Sequence, residues 1–116
     1  MFFDESAKLI NVKGEESAKI YKNVFAENVL LADCVTVGDD SRLMNSVFEE
    51  HVIIQRRNFI SNSSIGRFTS TMMDTVICGA TIGAFCSISY DVKVGGQTTI
   101  MKDQLHQSFT LIRIMG

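Results

Sequence analysis

The chain of 116 residues contains no proline, no long apolar run and no excess of basic residues. Without proline, no turn has its φ angle set by a pyrrolidine ring. No apolar run approaches the roughly 20 residues of a membrane span, and the N-terminus lacks the basic and apolar regions of a signal peptide. A net charge of −2 and a pI near 5.6 argue against a nucleic-acid or anionic-membrane partner.

Cysteine is also scarce, with three residues at Cys34, Cys78 and Cys86. Because an odd count without metal-type spacing argues against a disulfide framework, we expect reduced thiols in a cytoplasmic protein. The two histidines, His51 and His106, are far apart and do not supply a three-histidine zinc site. No metal is therefore expected.

What the chain has in abundance is an apolar residue at about every sixth position from Phe25 onward. A period of six fits neither a helix nor a paired strand and is typical of a solenoid. Three of the thirteen hexads, which start at Leu43, Ile60 and Thr71, are one residue short. The hexads start at Phe25, Leu31, Val37, Leu43, Phe48, Ile54, Ile60, Ile65, Thr71, Val76, Ile82, Ile88 and Val94.

The fifth residue of each hexad is a second inward position, and it is small or β-branched in twelve of thirteen cases. An unbroken register would place His51 and Arg57 there, and burying those side chains is costly. The short hexads are therefore favoured. The predicted positions are Val29, Val35, Ser41, Val47, Val52, Asn58, Ser64, Thr69, Thr75, Ala80, Cys86, Val92 and Thr98.

The pattern predicts an all-β fold, a triangular parallel β-helix in which each hexad is a short strand and a corner. Three hexads make a coil of about 18 residues, which gives about four coils. An ordinary β-sandwich is the alternative, but its strands alternate with period two. Within a single domain, we expect residues 1–23 to be a cap, 24–98 the β-helix, and 99–116 a loop and a C-terminal strand.

Two segments resemble the hexapeptide-repeat acyltransferases, in particular the xenobiotic, streptogramin- and chloramphenicol-type acetyltransferase branch. One runs from Asn62 to Thr69. The other runs from Thr81 to Gly96, and its specific part is the block Ile82-Gly-Ala-Phe-Cys-Ser-Ile88 followed by Val92-Lys-Val-Gly-Gly96. The resemblance implies a left-handed parallel β-helix, a homotrimer, and acetyl-CoA as co-substrate in a cleft between subunits.

The resemblance also implies a site at the end of the repeat, where a histidine just after the paired glycines deprotonates the acceptor. This chain has Gln97-Thr98-Thr99 there, so the next histidine, His106, is the candidate catalytic base. The alternative is an ordinary exposed loop histidine.

The candidate acetyl-CoA-binding residues are Lys93, Gly95, Gly96 and Gln97. Glycines allow backbone N–H groups to approach an acyl or phosphate group, although corner geometry explains Gly95 equally well. The candidate cations for the CoA phosphates are Lys93, Lys102 and Arg113.

Four further side chains have predicted orientations. His51 is expected outward at a corner, and Cys86 inward as a small core residue. Phe68 and Phe85 occupy equivalent outward positions. They predict either a stacked stripe at a subunit interface or packing against the loop of a neighbouring coil.

The predicted function is acetyl-CoA-dependent acyl transfer to a small hydroxyl- or amino-bearing acceptor, such as a sugar or an antibiotic-like molecule. Neither a nucleic acid nor a membrane is an expected partner. The alternative is a non-catalytic trimeric β-helix for binding or assembly, a shortened or decayed member, because relatives continue through further coils.

Overall fold

The computed structural model describes residues 1–89, 91–95 and 98–100, the last three by their backbone alone. These residues contain fifteen strands, and none of these residues is helical. Every strand pair among them is parallel. The predicted parallel β-helix is confirmed. In this part of the chain, no helix is long and apolar enough to span a membrane. The strands are β1 Phe2–Phe3, β2 Lys8–Gly14, β3 Lys19–Ile20, β4 Phe25–Leu31, β5 Thr36–Val37, β6 Arg42–Phe48, β7 Ile53–Ile54, β8 Phe59–Ser61, β9 Ser64–Ile65, β10 Ser70–Thr71, β11 Val76–Cys78, β12 Ala80–Ile82, β13 Ser87–Ile88, β14 Lys93–Val94 and β15 Thr98–Ile100.

The strands line three faces. The first face stacks β1, β3, β5, β7, β10 and β13 in that order. The second face contains the first halves of β2, β4 and β6, followed by β8, β11 and β14, and the third contains their second halves, followed by β9, β12 and β15. The three long strands thus continue from the second face to the third around a corner.

Each coil is 17 residues long, one fewer than predicted. On the first face Phe2 pairs with Lys19, Lys19 with Thr36, and Thr36 with Ile53, and the same step continues to Ser87. The six strands of this face therefore make about five coils, where about four were predicted. The extra turn comes from residues 2–20, predicted to be a cap, whose strands pair in the same register.

The difference in coil length arises because the third face is one residue shorter than the others in every coil. The short hexads consequently recur once per coil, and two of the three predicted ones, at Leu43 and Ile60, are correct. The third was wrongly placed at Thr71, and the short hexad begins at Ile77.

Four predicted inward positions are wrong by one residue for the same reason. Ala26, Ser46, Ser63 and Ile77 are the buried residues, whereas Phe25, Val47, Ser64 and Val76 point outward. The corrected core takes two residues from each face of a coil, and a fully buried aliphatic side chain contributes about 1.5–3 kcal/mol. Its large members are Ile20, Leu43, Phe48, Ile54, Ile60, Ile65, Ile77 and Ile82.

Polar side chains also line the interior, and most of them hydrogen bond to the backbone. The buried Asn58 side chain donates from Nδ2 to the Gln55 and Met72 carbonyls and accepts from the Thr75 amide at Oδ1. Ser41 Oγ, in the coil below, accepts from the backbone amide of Asn58. Because each group is satisfied, this column binds three successive coils without an unpaired donor.

Thirteen corners contain a non-glycine residue in the left-handed region, with φ values between 50° and 62°. Asparagine and aspartate tolerate this conformation better than other side chains. The asparagine corner joins the second and third faces and contains Asn11, Asn28, Asn45, Asn62 and Gly79. The aspartate corner joins the first and second faces and contains Asn23, Asp40, Arg57, Asp74 and Asp91. The aromatic corner joins the third and first faces and contains Cys34, His51, Phe68 and Phe85.

Side chains at equivalent corner positions contact each other from coil to coil. At the asparagine corner, Asn11 Nδ2 donates to Asn28 Oδ1 at 2.6 Å. At the aspartate corner, Arg57 Nε and Nη2 donate to the two Asp74 carboxylate oxygens at 2.8 and 3.1 Å. This bidentate pairing with Arg57 lowers the pKa of Asp74. The corners thus link neighbouring coils outside the core.

Candidate functional site

The candidate acetyl-CoA-binding residues that the structure describes lie at the upper end of the second face. Lys93 is exposed in β14, and its Nζ lies 3.7 Å from Asp91 Oδ1. Gly95 follows the end of that strand. Gly96, Gln97, Lys102, His106 and Arg113 lie outside the described residues, and their predicted roles stay predictions.

Gly95 differs from the glycines that packing or backbone conformation requires. A Cβ built at Gly66 would lie 2.6 Å from the Gly83 carbonyl carbon, so no side chain fits there. Gly79 has a φ of 67°. At Gly95 a Cβ would meet no atom of the described residues within 4 Å, and its φ is not in the left-handed region. Neither a left-handed φ nor a clash with a described atom therefore explains a glycine at position 95.

The coil gains a residue at the same place. Ile77 pairs with Val94, 17 positions on, but Ala80 pairs with Thr98, 18 positions on. The extra residue lies between Val94 and Thr98, in the segment that contains Gly95. This corner is therefore larger than the asparagine corners below it, and such insertions in a solenoid commonly shape a binding surface.

Cys78 lies directly below Gly95, since β11 and β14 pair with a 17-residue offset. It is half-buried and unpaired with another cysteine. Cys86 is inward and 3% exposed, as predicted, and burial raises the pKa of its thiol. A raised pKa keeps the thiol protonated, so Cys86 is a core residue and not a nucleophile.

His51 is exposed at the aromatic corner, as predicted. Its ring stacks on Phe68 at 4.6 Å between centroids, with an angle of 11° between the planes. Phe68 stacks on Phe85 at 5.2 Å and 2°, so the rings form a stack between coils, and a place for this stack at a subunit interface stays a prediction. The aromatic corner lies opposite the second face, and one chain therefore does not bring His51 and Gly95 together.

Sequence reasoning missed the outward apolar character of the second face. Phe25 and Val76 were assigned to the core, and Phe59 was not singled out, yet all three are half-buried outward residues of this face. Aligning the sequence at a period of 17 would have revealed them. Among the described residues, no group of histidine, cysteine or acidic side chains could hold a metal ion.

Comparisons with known proteins identify the fold. No protein-family model and no curated protein sequence matches the chain. Among solved structures, it is similar to the acetyltransferase domain of PglB from Neisseria gonorrhoeae FA1090 in complex with acetyl coenzyme A, with a TM-score of 0.78 and 13% identity over 85% of this chain and 50% of that domain. A second structure of the acetyltransferase domain of PglB from Neisseria gonorrhoeae FA1090 gives a TM-score of 0.74 at 14% identity, over 87% of this chain and 54% of that domain.

A putative acetyltransferase from Bacillus cereus, the product of the BC4754 gene, is also similar, with a TM-score of 0.73 and 20% identity over 86% of this chain and 68% of that protein. The structural neighbours of the chain are thus acetyltransferases, and it has their fold. It spans about half the length of the PglB domain.

Proposed function

We propose that this protein transfers an acyl group from acetyl-CoA to a small hydroxyl- or amino-bearing acceptor. The observation that carries the proposal is its overlap, across 85% of the chain, with a domain whose structure contains acetyl coenzyme A. The proposal includes membership of the xenobiotic acetyltransferase branch. It also includes the acceptor class, which is either a sugar or an antibiotic-like molecule.

The described residues suit a thioester co-substrate at the upper end of the second face. Because Gly95 has no side chain, a ligand could approach the main chain closely there, and the exposed Lys93 ammonium offers a positive charge to a phosphate. Gly96 and Gln97 would extend the same surface. Acetyl-CoA supplies the activated acyl group when it is bound here.

Acyl transfer also needs a base that takes a proton from the acceptor as its oxygen or nitrogen attacks the thioester carbonyl. The carbonyl–sulfur bond then breaks, and CoA leaves as the thiol. We propose His106 as this base. In the described part of the chain the sole histidine, His51, lies at the corner opposite the face that contains Gly95. We therefore further propose a homotrimer, in which each site lies between two copies.

Calorimetric titration with acetyl-CoA tests the proposal. We expect saturable binding to the parent protein and at least about tenfold weaker binding to Lys93→Glu, because the variant repels the phosphates. Lys19→Glu makes the same charge change on the first face and is expected to bind as the parent does. No binding at millimolar acetyl-CoA would overturn the proposal.

A second candidate function is a non-catalytic trimeric β-helix used for binding or assembly. It is favoured by the separation of His51 from Gly95, which leaves the described site without a base. Under this alternative, His106→Ala changes neither acetyl-CoA binding nor acetyl-CoA hydrolysis. A large loss of hydrolysis with unchanged binding would instead support catalysis. The three free thiols fit a cytoplasmic location, which we also propose.

A further inference from the structure

An apolar ridge runs along the upper part of the aromatic corner. The ring of Phe68 lies between those of His51 and Phe85, at 4.6 and 5.2 Å between centroids, and the planes are almost parallel. Phe68 and Phe85 are 47% and 50% exposed, and Ile53, which follows His51 on the first face, is 42% exposed. Contiguous apolar groups that remain exposed mark contact surfaces more often than single ones do. The ridge is therefore a candidate docking surface.

A row of carboxylates lies next to the ridge and continues below it. Glu16, Asp33 and Glu50 occupy equivalent positions, 17 residues apart, on the third-face side of the corner. All three are exposed, and none has an ion-pair partner in the described part of the chain. Like charges at equivalent positions of neighbouring coils repel each other and oppose folding. The row thus has a negative charge that the described residues leave unpaired.

The aspartate corner shows that the same repeat can balance its charges. At the equivalent positions of that corner the sign alternates from coil to coil, in the order Glu5, Lys22, Asp39 and Arg56. The next residue, Arg57, forms an ion pair with Asp74. A row of one sign is therefore a particular feature of the aromatic corner. Its charge is complementary to a partner with cationic side chains.

An extended peptide segment matches the corner in length as well as in charge. Four steps of about 4.8 Å separate the coil of Glu16 from that of Phe85, and an extended chain covers these roughly 19 Å with about six residues. Arg67 continues the row of Glu50 one coil higher, and its guanidinium carbon lies 5.9 Å from the Phe85 ring centroid. The ridge thus already accommodates a guanidinium, and the carboxylates below it offer partners for further cations.

We propose that the aromatic corner is a docking surface for an extended, basic segment of a partner protein. The arginine or lysine side chains of the segment pair with the carboxylate row, and an apolar side chain at its other end packs against the ridge. The surface is independent of the proposed acyl transfer, because the described acetyl-CoA-binding residues lie on the second face. The side chains that recognise the segment are Glu16, Asp33, Glu50, Phe68 and Phe85.

Fluorescence anisotropy with a labelled synthetic peptide tests the charge part of the proposal. The probe has three arginines followed by serine, leucine and phenylalanine, and its control has glutamates in place of the arginines. We expect the full chain to bind the basic probe saturably, more weakly as salt is added, and not to bind the control. Glu50→Lys is expected to weaken binding at least about tenfold. Glu5→Lys, the same reversal at the aspartate corner, is expected to bind as the parent does.

The apolar part is tested separately by Phe68→Asn. Asparagine tolerates the left-handed corner, so we expect an unchanged circular dichroism spectrum, and loss of the ring is expected to weaken probe binding at least about tenfold. Ile10→Asn is the matched control, since Ile10 is 50% exposed on the second face, and is expected to bind as the parent does.

Three results would overturn the proposal: no binding at millimolar probe, equal binding of the acidic control, or parent-like binding by Glu50→Lys or by folded Phe68→Asn. Light scattering on the full chain supplies a fourth. If the parent assembles and Phe68→Asn does not, the ridge is occupied by a second copy of the chain and not by a basic segment.

Discussion

At the scale of single residues, the interior depends on whether each polar side chain finds a partner. Thr69, Thr71 and Thr75 are all fully buried inward residues. Thr69 Oγ1 donates to the Gly83 carbonyl and accepts from the Cys86 amide, and Thr75 Oγ1 donates to backbone carbonyls. Thr71 Oγ1 has no hydrogen-bond partner among the residues that the structure describes. The hydroxyl groups of Thr69 and Thr75 thus stabilise the fold, whereas the hydroxyl group of Thr71 destabilises it.

Replacing Thr71 by valine is expected to stabilise the protein by about 1 kcal/mol, because an unsatisfied buried hydroxyl costs about 1–3 kcal/mol. The same change at Thr69 removes two hydrogen bonds and is expected to destabilise by a similar amount. Urea unfolding monitored by circular dichroism measures both. Equal shifts of the two midpoints in the same direction would contradict the assignment of Thr71 as unpaired.

The residue scale also explains which core positions were predictable. Large aliphatic residues such as Ile82 and Ile88 were placed correctly, because their neighbours in the sequence are small or polar and do not compete for the inward position. Ala26 was missed because the neighbouring Phe25 is larger and more hydrophobic, and a six-residue period accepts either residue. Only the pairing of complete coils distinguishes them, and that information is not local in the sequence.

At the scale of elements, the corners determine where the chain turns from one face to the next. Left-handed backbone costs most side chains about 1–2 kcal/mol, and the contacts between equivalent corner residues offset that cost. The asparagine corner shows how the contact is made, since Asn28 Nδ2 donates to Asn45 Oδ1 at 3.0 Å. The series changes at Gly79, which has the required φ but no side chain to continue it.

Substituting Gly79 by asparagine is expected to stabilise the protein by about 0.5–1 kcal/mol. The asparagine reduces the freedom of the unfolded chain and places an amide next to Asn62. Valine at the same position is expected to destabilise by at least about 1 kcal/mol, because a β-branched residue is strained at positive φ. Thermal unfolding compares the two variants, and a more stable valine variant would show that the corner is not restricted in this way.

At the scale of the whole molecule, the repeat of 17 residues is regular enough for one coil to replace another. Arg42 and Phe59 are register partners on the second face. Removing residues 42–58 would connect Ser41 to Phe59 and leave every later inward side chain inward. Stability in a solenoid is approximately a sum over coils and their interfaces, so the shortened protein should fold with a lower midpoint.

Removal of residues 42–57 is the matched control. It shifts all later residues by one, which turns the inward side chains outward. We expect the 17-residue deletion to retain a β-sheet circular dichroism spectrum and cooperative unfolding, and the 16-residue deletion to lose both. If the two deletions behave alike, the register does not determine the fold.

Much of the architecture could be predicted from sequence, because every third hexad is short and the aliphatic residues follow that pattern. The candidate site could be predicted only in position. Lys93 and Gly95 were placed at the end of the repeat by resemblance, but the sequence could not distinguish a glycine required by φ, such as Gly79, from one that φ does not require, such as Gly95. That distinction depends on atoms from the coil below, which a linear reading does not supply.

The 17-residue register has a consequence for the gene that encodes the chain. Each coil corresponds to 17 codons, and DNA segments that encode neighbouring coils are in the same reading frame. An unequal exchange between two such segments would add or remove one complete coil, with its three strands and three corners. The length of the protein can therefore change in heritable steps of one coil, while the segment between Val94 and Thr98, with its additional codon, remains at the end of the series.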